Sequence, residues 1–142
     1  MYQTTTIIGR LGRDPEMRYL PSGDPVTSFS VATDRQYNSK SGEKVKETTW
    51  FRVSVFGKQA ETVNQYLHKG SMVLVEGRLG ADPKTGGPKT FTRQDGTVSA
   101  SFEIVANTVR FLSPKSEGSA GGEGGDGAAV SNDAAPDEGI PF

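Results

Sequence analysis

The 142-residue chain has no cysteine and one histidine. The first absence removes disulfides, thiolate zinc sites and a cysteine nucleophile. The second leaves His68 as the only base for a serine nucleophile, and no motif sets a serine beside it. No apolar run approaches the roughly 20 residues that cross a bilayer. The opening Met1-Tyr2-Gln3-Thr4 lacks a basic stretch leading into an apolar one, the mark of a secretory signal. The expected compartment is the cytoplasm, with no membrane partner. No GxxxxGK[ST] phosphate loop occurs, and the run Gly121–Gly125 has neither a strand before it nor a helix after it, so it reads as linker. Carboxylates in the first 112 positions are scattered, where a metal-dependent nuclease needs them clustered. Asp14 and Glu16 flank Pro15 and read as turn chemistry. Neither a metal nor another cofactor is expected, and no residues are left to build an enzyme.

Composition divides the chain. Residues 113–142 hold seven Gly and five Ala, one basic residue, and no aromatic before Phe142. Such a segment buries too little apolar surface to offset its ordering entropy. The expectation is one folded domain over 1–112 and a disordered, Gly-rich acidic tail over 113–142. One lysine against six carboxylates gives the tail a charge of −5; the other 15 basic and 11 acidic residues give the body +4. A basic body suits a polyanion, and an acidic tail suits a different partner.

Five segments carry the period-two, β-branched pattern of strands: 4–9, 26–33, 48–56, 71–79 and 101–109. Between Lys58 and Lys69, Ala60, Val63 and Leu67 recur at helical spacing, and Gly70 follows as the expected C-cap. Turn residues separate these elements at 21–25, 38–44 and 80–96. Three strands, a helix and two strands predict an all-β fold. It is a five-stranded Greek-key barrel with one short helix between strands 3 and 4, the OB-fold arrangement. A small β-sandwich is the structural alternative.

The third strand is the most informative. Alternation puts Phe51, Val53 and Val55 on one face and Trp50, Arg52, Ser54 and Phe56 on the other. The first set suits a core. The second interleaves aromatics with a cation on the outward side, which core packing does not require. Unpaired bases expose π-faces that stack on aromatic rings whatever the base, and arginine reaches phosphate or stacks itself. A subunit interface is the other reading of that face. Nearby, Tyr37 leads into a loop with Lys40, Lys44 and Lys46, and Arg10, Arg13 and Arg18 lie close to the first strand. All six cations are candidates to neutralise phosphates.

Several stretches, in this order, resemble the bacterial-type single-stranded DNA-binding protein family. They are Ile8-Gly9-Arg10-Leu11-Gly12-Arg13-Asp14-Pro15-Glu16-Met17-Arg18-Tyr19, Phe29-Ser30-Val31-Ala32-Thr33, Thr49-Trp50-Phe51-Arg52-Val53, Phe56-Gly57-Lys58-Gln59-Ala60-Glu61, Tyr66-Leu67-His68-Lys69-Gly70-Ser71 and Val75-Glu76-Gly77-Arg78-Leu79. The closing Asp137-Glu138-Gly139-Ile140-Pro141-Phe142 is similar to the family's acidic tip ending in Ile-Pro-Phe.

The resemblance implies an OB-fold assembled as a homotetramer, around which single-stranded DNA wraps. It implies sequence-independent binding and protection of that DNA in replication, recombination and repair, by a cytoplasmic, nucleoid-associated protein. The family's stacking aromatics map onto Tyr37, which replaces a common tryptophan, and onto Trp50 and Phe56. On the long 80–100 segment, which departs from the family pattern, Phe91 is the candidate for a fourth, flanked by Lys89 and Arg93. Phe51 stands where many relatives carry a histidine at a subunit contact, and Gly139 where an acidic residue is frequent. In the tip, Asp137 and Glu138 would pair with basic groups of replication and repair proteins while Ile140, Pro141 and Phe142 fill a pocket. Two other readings stay open: an oligomeric adaptor module whose aromatics build its interface, and an RNA-binding OB-fold protein.

Overall fold

The computed structural model describes residues 1–114. The tail from residue 115 onward, with the tip residues Asp137, Glu138, Ile140, Pro141 and Phe142, lies outside the described residues. The strands β1 (Thr5–Leu11), β2 (Glu16–Tyr19), β3 (Pro25–Asn38) and β4 (Lys44–Phe56) precede helix α1 (Lys58–Tyr66). After it come β5 (Met72–Leu79), β6 (Thr90–Thr92), β7 (Val98–Ala100) and β8 (Phe102–Phe111).

Six strands bond in the order β1-β5-β8-β4-β3-β2. A further antiparallel pairing of β1 with β3, Arg10 opposite Ala32 and Leu11 opposite Val31, joins the two sides of the sheet. The result is a closed barrel of β1, β3, β4, β5 and β8, the OB-fold predicted, with no free edge among its five strands. β4 and β8 run parallel. A parallel pair needs a crossover, and α1, β5 and the β6–β7 hairpin supply it.

Inward alternation fills the barrel with Ile7, Leu11, Phe29, Val31, Val53, Val55, Val73, Val75, Ile104 and Val109, and Ala60 and Val63 of α1, with Leu67 just past its end, pack into the same core. Thr27 is fully buried between β3 and α1, where its hydroxyl donates to the Ala60 carbonyl at 2.7 Å. That bond satisfies the one buried polar side chain in this layer.

Four features depart from the sequence expectation. β3 and β4 run on through the polar stretch 34–48, paired in register from Val26 opposite Phe56 to Asn38 opposite Lys44. Tyr37, Lys44 and Lys46 are therefore strand residues, and the turn is confined to Ser39–Glu43 (Ser39 N–H to Glu43 C=O, 2.8 Å). Cross-strand backbone bonds hold this ribbon without the apolar alternation that reveals a strand in sequence. α1 stops at Tyr66, and Leu67 is already extended at φ −91°, ψ 142°. Gly70 is thus not its cap. It has φ 87° in the turn before β5, and its N–H donates to the Leu11 carbonyl at 2.8 Å. The short β2 hairpins onto β3, and β6 and β7 form a separate two-stranded ribbon within 80–100.

Barrel closure brings β1 hard against β3. A Cβ on Gly9 would overlap the Ala32 carbonyl oxygen and come within 2.7 Å of Val31 Cγ1. Since the obstruction is backbone, it cannot be relieved by a rotamer change. Gly9→Ala is expected to destabilise the fold by about 1–3 kcal/mol or more, the range for forced overpacking. A lowered urea midpoint checks this; an unchanged one contradicts the tight closure.

Candidate nucleic-acid interface

The register of β1, β3 and β4 lays out the outer face row by row. Arg10, Ala32 and Trp50 share one row. Ser30 and Arg52 form the next, then Glu16, Ser28 and Ser54, then Arg18, Val26 and Phe56. In the other direction come Asp34 and Thr48, Gln36 and Lys46, Asn38 and Lys44. The even-numbered side of β4 therefore carries Lys44, Lys46, Trp50, Arg52 and Phe56 in one stripe about 40 Å long. Its odd-numbered side sends Val53 and Val55 into the core.

Trp50 and Phe56 keep about half their surface exposed, 53% and 49%. Core packing thus accounts for neither ring. They stand six residues apart, about 20 Å along the strand. Trp50 forms one wall of a cavity of about 380 Å³ with Gly12, Arg13 and Ser30. Arg13 continues into an adjoining cavity of about 290 Å³, lined also by Arg52, Ser28, Ser30, Phe29, Asp14 and Glu16. A groove with an indole at one end and two guanidinium groups along it can hold a flat, apolar ring system joined to an anionic chain. The Asp14 carboxylate accepts from the Lys69 backbone N–H at 2.8 Å, a tie from the β1–β2 connection to the turn before β5 and not a bond within its own turn.

Of the other predicted cations, Arg10 lies in the Trp50 row but donates to the Gly70 carbonyl at 2.9 Å. Arg18 shares its row with Phe56, and Lys40 sits exposed in the turn of the β3–β4 arm. Lys46 is paired with Asp34 at 3.3 Å, and the Thr48 hydroxyl donates to the same carboxylate at 2.7 Å. These bonds, Thr48's first and then that of Lys46, hold the Asp34 carboxyl below its ordinary pKa. A phosphate reaching Lys46 must compete with that carboxylate.

Tyr37 and Phe91 stand apart from the stripe. Tyr37 has an odd number on β3 and by alternation lies on the reverse side of the arm from Trp50, where the ribbon is open to solvent on both faces. Its ring has the Arg35 guanidinium 5.3 Å from its centroid. Its hydroxyl donates to the Glu47 carboxylate at 3.2 Å, and that bond, reinforced by the Glu47 charge, raises the phenol above its usual pKa. Phe91 is 49% exposed on the β6–β7 ribbon. That ribbon is tied to the barrel at its base through Ser101 N–H to the Lys89 carbonyl and the Lys89–Glu103 ion pair at 3.0 Å. Arg93 donates to Ser99 Oγ at 3.1 Å on the same ribbon. The fold gathers Trp50, Phe56, Arg52, Arg13, Arg10, Arg18, Lys44 and Lys46 on one face. It puts Tyr37, Phe91, Lys89 and Arg93 on two separate projections.

Sequence reasoning missed Asp34, Arg35 and Gly12. Arg35 lies beyond the predicted strand 26–33, in a polar stretch whose strand character the sequence does not display. Asp34 and Gly12 depend on register between distant segments, which a single chain does not display. Among the described residues, no three histidine or carboxylate side chains gather into a metal-binding group.

The chain is similar to known proteins in sequence and in fold. The model of the single-strand binding protein family matches residues 2–112. A Neisseria meningitidis serogroup A protein named single-stranded DNA-binding protein is 40% identical over 115 residues, covering 81% of this chain. The chain spans 62% of that relative's length. A Wolinella succinogenes protein of the same name is 34% identical over 152 residues, covering all of this chain and 90% of its own. Among solved structures, a Plasmodium falciparum SSB complex with ssDNA superposes with a TM-score of 0.65 at 25% identity, over 80% of this chain and 97% of that one.

Proposed function

The chain belongs to the single-strand binding protein family, and we propose on that footing that it binds single-stranded DNA without sequence preference and catalyses nothing. The observation that carries the reading is the exposed Trp50 ring beside Arg13 and Arg52, on a strand whose opposite side is core. Bases of any identity stack on Trp50 and Phe56, because every base has a π-face. Arg10, Arg13, Arg18, Arg52, Lys44 and Lys46 neutralise phosphates along the stripe, with release of counterions, so affinity falls as salt rises. Tyr37 with Lys40 on the arm, and Phe91 with Lys89 and Arg93 on the β6–β7 ribbon, extend the path on either side. Duplex DNA hides its base faces and binds far more weakly. Binding of this kind protects exposed strands during replication, recombination and repair, the setting of a nucleoid-associated protein.

The domain is residues 1–112, with the tail 113–142 acting separately. The bond that Ser113 Oγ accepts from the Met72 N–H at 2.6 Å supports a boundary near this position. Asp137, Glu138, Ile140, Pro141 and Phe142 form the docking tip for replication and repair proteins, the anions pairing with basic groups and the apolar residues filling a pocket. Four copies assemble into a homotetramer. The exposed Ile8 on β1, paired with the half-buried Leu74 of β5, gives a second copy an apolar face to cover.

Trp50→Ala is expected to weaken binding of an oligo(dT) by about 1–3 kcal/mol, the contribution of one stacked base, with folding and assembly intact. Anisotropy of a labelled oligonucleotide reads the first, and circular dichroism with light scattering reads the second. Unchanged affinity contradicts the stacking role; loss of the assembly makes Trp50 an interface residue instead. Preference for an RNA oligomer over the DNA in competition moves the assignment to RNA.

The tail, at −5 against a body at +4, competes with DNA for the basic face. Removal of residues 113–142 raises low-salt affinity for a short oligonucleotide. An equal or lower affinity in that titration contradicts the competition.

A further inference from the structure

Trp50 does not hang free from β4. A Cβ built on Gly12 would lie 2.5 Å from Trp50 Cζ3 and 2.7 Å from Cη2. The outer edge of the benzo ring therefore rests directly on the Gly12 backbone. Real Cβ atoms essentially never approach other heavy atoms so closely. Gly12 is not among the glycines with left-handed φ, so no backbone conformation demands glycine there. What the position lacks is room for a side chain.

The backbone beneath the ring is fixed. The Gly12 N–H donates to the Ser30 carbonyl at 3.1 Å, and the Leu11 N–H donates to the Ser71 carbonyl at 3.0 Å. Leu11 itself is buried in the core. A side chain at position 12 thus cannot be accommodated by moving the β1–β2 connection. The indole, half exposed at the end of two rotatable bonds, is the part that yields. Such a substitution leaves the barrel folded and turns the ring away from the groove it walls with Arg13 and Ser30.

We propose that Gly12 is a positioning residue for the DNA-binding face: its bare backbone is the seat against which the outer edge of the indole lies, and this contact fixes the orientation in which the ring meets a base. The proposal rests on the single-stranded DNA reading and deepens it. It separates where the stacking energy arises, at Trp50, from what holds the ring in place, at Gly12. It also makes a demand on ring size. A phenylalanine at position 50 has no atoms equivalent to Cζ3 and Cη2. Its shorter ring keeps a stacking face without reaching Gly12.

The experiment is a four-variant cycle of wild type, Gly12→Ala, Trp50→Phe and the double variant, with Trp50→Ala as reference. It uses the full chain, anisotropy of a labelled oligo(dT), and thermal unfolding. Gly12→Ala is expected to weaken binding about fivefold or more, within the range set by losing one stacked base. It should also alter the near-ultraviolet circular dichroism of the single tryptophan in free protein while leaving the unfolding midpoint nearly unchanged. In the Trp50→Phe background, Gly12→Ala should have no effect on binding. If Gly12→Ala leaves affinity and the tryptophan signal unchanged while Trp50→Ala weakens binding, the seat is refuted and the DNA reading stands. Equal weakening in the Trp50→Phe background also refutes it, because Gly12 then acts through something other than the indole edge. If Trp50→Ala itself has no effect, the reading beneath the proposal fails and the proposal falls with it.

Discussion

The in-register pairing of β3 with β4 is the constraint on which the structure depends. Val53 and Val55 are buried because Phe29 and Thr27 sit opposite them. Once those residues face inward, alternation leaves Trp50, Arg52 and Phe56 no choice but the outer surface. A slip of one residue would bury the cations and expose the core. The core and the candidate interface are the two sides of one strand, and the hydrophobic effect that fixes the first also aims the second. Closure of β1 onto β3 then brings Arg10 into the Trp50 row and carries Gly12 beneath the indole.

Much of this was legible in the sequence because apolar alternation was strong where the barrel is. The five barrel strands, the helix and the split of β4 into an inner and an outer side all followed from residues such as Val31, Val53 and Val75, which end fully buried. The arm from Asp34 to Thr48 was not legible as strand. Its residues are polar on both sides, and it is held by backbone bonds and by pairs such as Asp34 with Lys46 and Thr48. The helix end was misplaced because Leu67 keeps the helical spacing and is buried, yet its backbone is extended. Burial, not helix, set that periodicity.

The face itself was easier to read than its geometry. Aromatic and basic residues interleaved on one strand single out Trp50, Arg52 and Phe56 as candidates from spacing alone. Which candidates join them depends on register. Arg10 and Arg18 are brought to the stripe by pairings with β3, whereas Phe91 stands on a ribbon of its own. Charge adds a second layer. Asp34 sits within the stripe and occupies Lys46, so the basic character of the arm depends on what competes for that lysine.

The central claim is that unpaired bases lie on the exposed indole of Trp50. The chain holds one tryptophan, so its fluorescence reports that ring alone. Titration of the full-length protein with oligo(dT), with light scattering to establish saturation, tests the claim most directly. The account predicts saturable quenching of the emission, displaced to higher oligonucleotide concentration as salt is raised. Emission that stays unchanged with the oligonucleotide fully bound would contradict it.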